Sequence, residues 1–249
     1  MAEHLIRDRL VARGWEVFRA PRQLVPFTGH PQADALLNDL ENYPHAFVLA
    51  CIMDRQIKAE KAWLIPYQIS EKIGGFSFER LSALSENDVR RLMREPKPLH
   101  RFVEIMAKSF YSAVQRIKDV YEGDASRIWR NKPPSSVVIR RFLEFYGVGP
   151  KIAHMAANIL ARELKVEFAD YTSIDISADV HIRRVFSRLG LCDSNPSETE
   201  VILTARGLYP EFPGIMDFAC WEIGKKWCKP SQPECRLCYM QDICPTAQG

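Results

Sequence analysis

Apolar residues recur along most of the chain at spacings of three and four. Between residues 98 and 121, Leu99, Phe102, Val103, Met106, Phe110, Val114, Ile117 and Tyr121 form one stripe, which predicts a long amphipathic helix. Ile182, Val185, Phe186 and Leu189 repeat the pattern over 180–190 and leave Arg183, Arg184 and Arg188 off the stripe. Residues 46–72 read as two helices broken near Asp54–Gln56. The strings "SEND" at 85–88 and "SETE" at 197–200 both fit the capping box that opens a helix. On either side of "GVG" at 147–149, Phe142, Phe145 and Tyr146, then Ile152, Met155 and Ile159, suit the buried faces of a helical hairpin. Strand-like alternation occurs only in "VEFADYTSIDIS", 166–177, and permits one short strand there. Breaks fall at "PRQLVPFTGHP" (21–31), "NKPPSS" (131–136), "DSNPS" (193–197) and "KPSQPE" (229–234). The pattern predicts an all-α fold.

Composition adds limits. With 249 residues and 47% hydrophobic content the chain can fill a substantial core. The longest apolar runs fall short of the roughly 20 residues that span a bilayer, and "MAEHLIRDRL" is too charged for a secretory signal. The expectation is a soluble intracellular protein, in the cytoplasm or nucleoid or, in a eukaryote, the nucleus, with no membrane partner. A net charge of +3 permits a polyanionic partner without requiring one. Seven cysteines is an odd count, and four of them lie beyond residue 227. That crowding argues against a disulfide framework and for a local metal site in a reducing compartment.

Three places carry candidate chemistry. In "FYGVGPKIA", Gly147 and Gly149 can expose backbone N–H groups around Val148, and Pro150 suits a first helical turn. Exposed amides at a helix N-terminus form a site for a phosphate, although the same string would serve a plain helical hairpin. Lys151 follows in that first turn, where the helix dipole disfavours an ammonium. Apolar surroundings would free its amine as a nucleophile, whereas a lysine so placed is ordinarily a solvated surface residue. In "SADVHIRRVF", Asp179 stands immediately before an apolar-periodic helix, the usual place for an N-cap. Finally, Cys228, Cys235, Cys238 and Cys244 have the spacing C-x6-C-x2-C-x5-C. Four thiolates from one short segment can enclose one metal centre. Structural zinc sites generally pair their ligands in short knuckles, and only the central gap is short here. Cys51, Cys192 and Cys220 lie in apolar contexts and are expected to be buried free thiols.

"GVGPKIA" resembles the helix-hairpin-helix signature G-V-G-x-K-x-A of the endonuclease III branch of DNA glycosylases. "DVHIRRV" resembles that family's D-T-H-I-x-R-V, with Asp179, His181, Ile182, Arg184 and Val185 in register, and the 6-2-5 cysteine spacing matches its [4Fe-4S] loop. The resemblance implies a six-helix barrel over about 44–163, with the hairpin at about 136–163, and a cluster lobe built from 1–43 and 164–249 around a [4Fe-4S] loop at 228–244. DNA would cross the cleft between them, with Lys151 and Asp179 at its mouth.

The implied activity is a bifunctional DNA glycosylase and AP lyase of base excision repair. Lys151 would attack the damaged nucleotide's sugar, Asp179 would stabilise its developing charge, and an oxidised pyrimidine would be the substrate. The implied partner is double-stranded DNA containing a damaged base or abasic site, bound by a monomer. Gly147, Val148, Gly149, Gln56, Lys225, Lys226, Lys229 and Arg236 are the expected DNA contacts, Gln56 filling the gap left by a flipped nucleotide. Two departures stand out. The residues around Gln56 differ from the family's S-x-Q-T, and "ELKVEFADYTSI" lengthens the interval between Lys151 and Asp179, which makes that insertion a candidate for touching base or DNA. A purine lesion or mismatched base remains an alternative substrate. Non-catalytic iron–sulfur DNA binding and a zinc-stabilised helical protein are the alternatives of other classes.

Overall fold

The computed structural model describes residues 2–248, and all regular structure among them is helical. The first half carries α1 (Ala2–Arg19), α2 (Pro31–Asn38), α3 (Pro44–Met53), α4 (Ala59–Ile73), α5 (Phe78–Ser82), α6 (Glu86–Arg94) and α7 (Val103–Tyr121). The second carries α8 (Ser135–Leu143), α9 (Pro150–Arg162), α10 (Val180–Arg188), α11 (Glu198–Leu208), α12 (Asp217–Lys226) and α13 (Pro245–Gln248). The stripe expected from residue 98 becomes helical only at Val103, because Pro98 and the turn around His100 precede it. The alternating segment at 166–177 is interrupted by a turn at 172–173 and forms no strand.

Local chemistry explains where the helices begin. Ser85 accepts from the Asp88 N–H and the Asp88 carboxylate accepts from the Ser85 N–H, closing a capping box. Ser197 caps α11 in one direction only. It accepts from the Glu200 N–H, while Glu200 turns its carboxylate to the N–H of Asp193.

The chain divides into two compact units. A central unit comprises Arg22–Pro133 and Arg140–Ala156, and a terminal unit comprises the residues through Pro21, Pro134–Ile139 and those from Ala157 onward. The central unit is built on α3, every residue of which is buried. A helix apolar on all sides must be enclosed, and α2, α4 and α7 enclose it. Residues 22–43 belong to this unit, where the sequence had placed them with the terminal segments. Ala33 and Leu37 of α2 are buried, and Phe27 stacks on Trp63 of α4 at 4.5 Å.

In the terminal unit α10 packs on α12. A Cβ on Gly224 would lie 2.7 Å from the Cβ of His181, so only glycine permits that approach. Helix α1 is tied in by its arginines: Arg13 to buried Glu222 of α12 and Arg9 to Asp242. The inserted segment also serves α1. Lys165 donates to the carbonyls of Val17 and Phe18 at the helix end, and Tyr171 packs edge-on to Phe18 and stacks on Phe212. Leu164, Phe168, Ile174 and Ile176 are buried. The segment therefore acts as a packed brace for the N-terminal helix, with Glu167, Ala169 and Thr172 left exposed.

Candidate functional site

Within the central unit, α8 ends at Leu143 and α9 begins at Pro150, joined by a tight turn closed by the Val148 N–H donating to the Phe145 carbonyl at 3.0 Å. Gly147 holds the left-handed conformation, φ +82°, and a Cβ there would meet Arg55 Nη1 at 3.0 Å and Ser109 Oγ at 3.2 Å. Of the two glycines it is Gly147 that needs positive φ; around Gly149 an added Cβ meets nothing. The Gly149 carbonyl accepts the first helical bond, from Ala153. The N–H groups of Lys151 and Ile152 open α9 and have no carbonyl one turn earlier within the helix. The side chain of Lys151 is exposed, and its neighbours on the same helix grade inward: His154 is half-buried and Asn158 is 1% exposed. The apolar surroundings considered for Lys151 are therefore not present at this exposed position.

Gln56 follows α3 in the break before α4. It is exposed at φ +55°, an uncommon conformation for a residue with a side chain. The loop is pinned at the two residues just ahead of it. Trp63 Nε1 donates to the Asp54 carboxylate at 3.2 Å, and His100 Nε2 meets the Arg55 carbonyl at 3.0 Å. The other ring nitrogen of His100 accepts from the Phe102 N–H, so Nε2 carries the proton and donates. Burial lowers the His100 pKa, which favours this neutral form. Neither pinning residue was singled out from the sequence, since His100 lies 45 positions from its partner.

In the terminal unit Asp179 caps α10, and its Oδ1 accepts from the N–H groups of His181 at 2.8 Å and Ile182 at 2.9 Å. Both capping bonds use Oδ1. The backbone leading to it is held from beneath by Asp217, whose Oδ1 accepts from the Ser177 N–H at 2.6 Å and the Ser177 Oγ at 2.7 Å. Burial raises the Asp217 pKa against the opposing effect of Arg162, 3.8 Å away. Sequence inspection passed over Asp217 because nothing local distinguishes it from a first-turn helix aspartate.

Cys228, Cys235, Cys238 and Cys244 line one cavity in the same unit, walled by Val185, Leu189, Ile223, Trp227 and Met240. Among the described residues no three His, Cys, Asp or Glu side chains converge to hold a single metal ion. The thiols ring the cavity instead. Burial pushes Cys238 and Cys244 upward in pKa, and Arg188 Nη1 donates to Cys228 Sγ at 3.3 Å. Four soft sulfur donors around an apolar hollow, with a cation beside one of them, fit the chemistry of an iron–sulfur cluster. Of the remaining cysteines, Cys51 and Cys220 are buried and Cys192 is half-buried.

The expected DNA-contact cations are unequal. Lys226 is ion-paired with Glu222 at 2.7 Å, Lys225 lies over the Trp221 ring at 4.6 Å, and Lys229 donates to the Lys225 carbonyl. Arg236 is exposed. Much of the Lys226 charge is thus answered within the protein. No helix among the described residues is long and apolar enough to cross a membrane.

A family model described as HhH-GPD superfamily base excision DNA repair protein matches residues 49–211. The endonuclease III-like protein 1 of Gallus gallus is 32% identical over 116 residues, a match covering 44% of this chain and 37% of that protein. The chain spans about a third of the length of the curated relatives it first matches. Among solved structures, a non-covalent endonuclease III–DNA complex superposes with a TM-score of 0.64 at 19% identity, covering 100% of this chain and 97% of that one. A thermostable thymine-DNA glycosylase gives 0.63 at 16% identity, covering 97% and 96%. These likenesses establish the fold.

Proposed function

Because the chain belongs to the HhH-GPD superfamily of base excision DNA repair proteins, we propose that it is a DNA glycosylase that also cleaves abasic sites. Its substrate is duplex DNA carrying a damaged base, of which an oxidised pyrimidine is the first candidate. The observation that carries this reading is Lys151, exposed on the first turn of α9 directly after a glycine turn whose backbone can hold a phosphate.

The chemistry runs in balanced steps. The glycosidic bond breaks with its electron pair leaving on the base, and positive charge grows on the sugar. The Asp179 carboxylate stabilises that charge, a role suited to a group already immobilised by two N–H donors. The lone pair of uncharged Lys151 Nζ then bonds to C1′, the C1′–O4′ bond breaks as one Nζ proton passes to O4′, and a protonated Schiff base forms. Loss of a C2′ proton expels the 3′ phosphate, nicking the strand, and hydrolysis returns the lysine. Gln56, held at a loop tip by Trp63 and His100, would occupy the gap left by the flipped nucleotide.

Cys228, Cys235, Cys238 and Cys244 would hold a [4Fe-4S] cluster, which when bound crosslinks the C-terminal segment. The exposed cations Lys225 and Arg236 near it, with half-buried Lys229, would meet phosphates, and Lys226 would be a weaker contributor.

Borohydride trapping on abasic duplex tests the proposal. Wild type should form a covalent adduct, and Lys151→Ala should form none while binding duplex within about threefold of wild type. Duplex binding by wild type without an adduct would rule out the lyase reading. A panel of single-lesion duplexes then separates oxidised pyrimidines from purine lesions and mismatches.

A further inference from the structure

Beside the cysteine loop, α10 presents a second cavity, open to solvent and about 380 Å³ in volume. Arg183, Arg184, Ser187 and Arg188 line its helix side, and residues 194–196 line the other. We propose that this basic pocket binds one backbone phosphodiester of the DNA strand that Asp179 acts on. The proposal rests on the DNA-repair reading above and adds to it a contact site outside the DNA contacts expected from the sequence.

Charge comes first. None of the three guanidinium groups meets a carboxylate among the described residues. Arg183 donates to the Pro196 carbonyl at 2.7 Å and the Asn195 side chain at 3.4 Å. Arg184 donates to the carbonyls of Cys228 and Gly224 and to His181 Nδ1. Arg188 donates to the carbonyls of Lys229 and Pro230 and to Cys228 Sγ. Elsewhere in the same unit arginines are neutralised: Arg206 forks onto Asp175 and Arg13 onto Glu222. Three cations on neighbouring turns of one helix, in a pocket with no acidic lining residue, form a site for an anion.

Preorganisation comes second. The carbonyl bonds fix the guanidinium planes without cancelling their charge, so little side-chain freedom is lost on binding. Arg183 keeps its Nη1 uncommitted among the contacts above, and Ser187 adds a hydroxyl to the same wall.

Position selects the anion. Val180, which follows Asp179 directly and is 69% exposed, lines the same pocket. An anion seated there is contiguous with the nucleotide whose sugar Asp179 would face, which a phosphodiester satisfies and an isolated ion does not require. Arg188 is turned toward the cysteine loop and would offset cluster charge in any case. Arg183 reaches the 195–196 loop instead, so it is the residue that separates the two roles.

The test is fluorescence anisotropy of the full, cluster-containing protein on undamaged duplex across a potassium chloride series. Arg183→Gln should weaken binding about tenfold at low salt and make the slope of log K against log salt shallower by about one. Visible absorbance and melting temperature should not change. Arg183→Lys should recover the slope, because it keeps the charge. The proposal is overturned if Arg183→Gln leaves affinity and slope untouched, if Arg183→Lys fails to recover the slope, or if the loss tracks bleaching of the cluster. It is also overturned if inorganic phosphate at constant ionic strength stabilises wild type but not Arg183→Gln while duplex affinity is unaltered, which would mark a free-anion site. Undamaged duplex needs no base excision. An absent borohydride adduct with salt-dependent binding intact therefore defeats the enzymatic reading alone, and an indifferent Arg183→Gln with the adduct intact defeats this inference alone.

Discussion

Asp179 is assigned two roles at once, and substitutions can separate them. As a cap it presents Oδ1 to the N–H groups of His181 and Ile182 at 2.8 and 2.9 Å. Asparagine offers the same oxygen in the same place and ranks beside aspartate as an N-cap, whereas alanine forfeits about 1 kcal/mol. For a chain of this size that loss is worth roughly 2–4 °C in melting temperature. Charge matters only for chemistry: removing one preorganised electrostatic partner of a transition state costs roughly 10²–10³-fold in rate. Asp179→Asn should therefore melt within about 1 °C of wild type, a fraction of the alanine shift, and release base at least about a hundredfold more slowly. Asp179→Ala should show that kinetic loss together with the lower melting temperature. The assay is single-turnover base release on a lesion duplex, paired with calorimetric melting of each variant. If Asp179→Asn keeps base release within tenfold of wild type, or if its melting temperature falls as far as that of Asp179→Ala, the carboxylate is a cap and nothing more.

Gly147→Ala should lower the melting temperature and weaken duplex binding, because alanine at positive φ is strained and its Cβ would meet Arg55 and Ser109. Gly149→Ala should leave melting unchanged, since its Cβ enters open space, and calorimetry beside anisotropy distinguishes the two. Cys238→Ser should remove one cluster ligand and bleach the brown colour expected of a [4Fe-4S] protein, with iron content per chain as the measurement; a colourless wild-type preparation that contains zinc would refute the cluster assignment. Burial alone would raise the Glu222 pKa, but hydrogen bonds from Arg13 and Lys226 outweigh it and hold the carboxyl below its ordinary 4.5. Stability from this group is complete above that ordinary value and lost as pH falls through the depressed folded one. Glu222→Gln should therefore flatten the acid limb of the melting-temperature profile.

The elements that were legible in the sequence are those whose causes lie within a few residues. The break between α3 and α4, the caps at Ser85 and Ser197, the glycine turn before Lys151 and the aspartate at the start of α10 are each set by groups one to four positions apart. Apolar spacing and turn chemistry report such local causes directly. The cysteine spacing belongs with them, because four thiols in one short segment cannot lie far from a common centre.

Other features depend on partners far along the chain. Nothing in "ELKVEFADYTSI" marks it as a brace until Lys165 is seen against the end of α1, 148 positions from Val17. Arg13 finds Glu222 across 209 positions, Asp217 reaches Ser177 across 40, and His100 pins the loop of Gln56 across 45. Whether an arginine ends beside a carboxylate, as Arg206 does, or beside carbonyls alone, as Arg183 does, is decided by which surfaces the packed helices bring together. The sequence alone determined the helices, their caps and the residues able to do chemistry, because those follow from short-range hydrogen bonding and backbone geometry. Tertiary packing decided which charges are neutralised, which polar groups are buried and which segments brace others, because electrostatics and desolvation depend on distance in space.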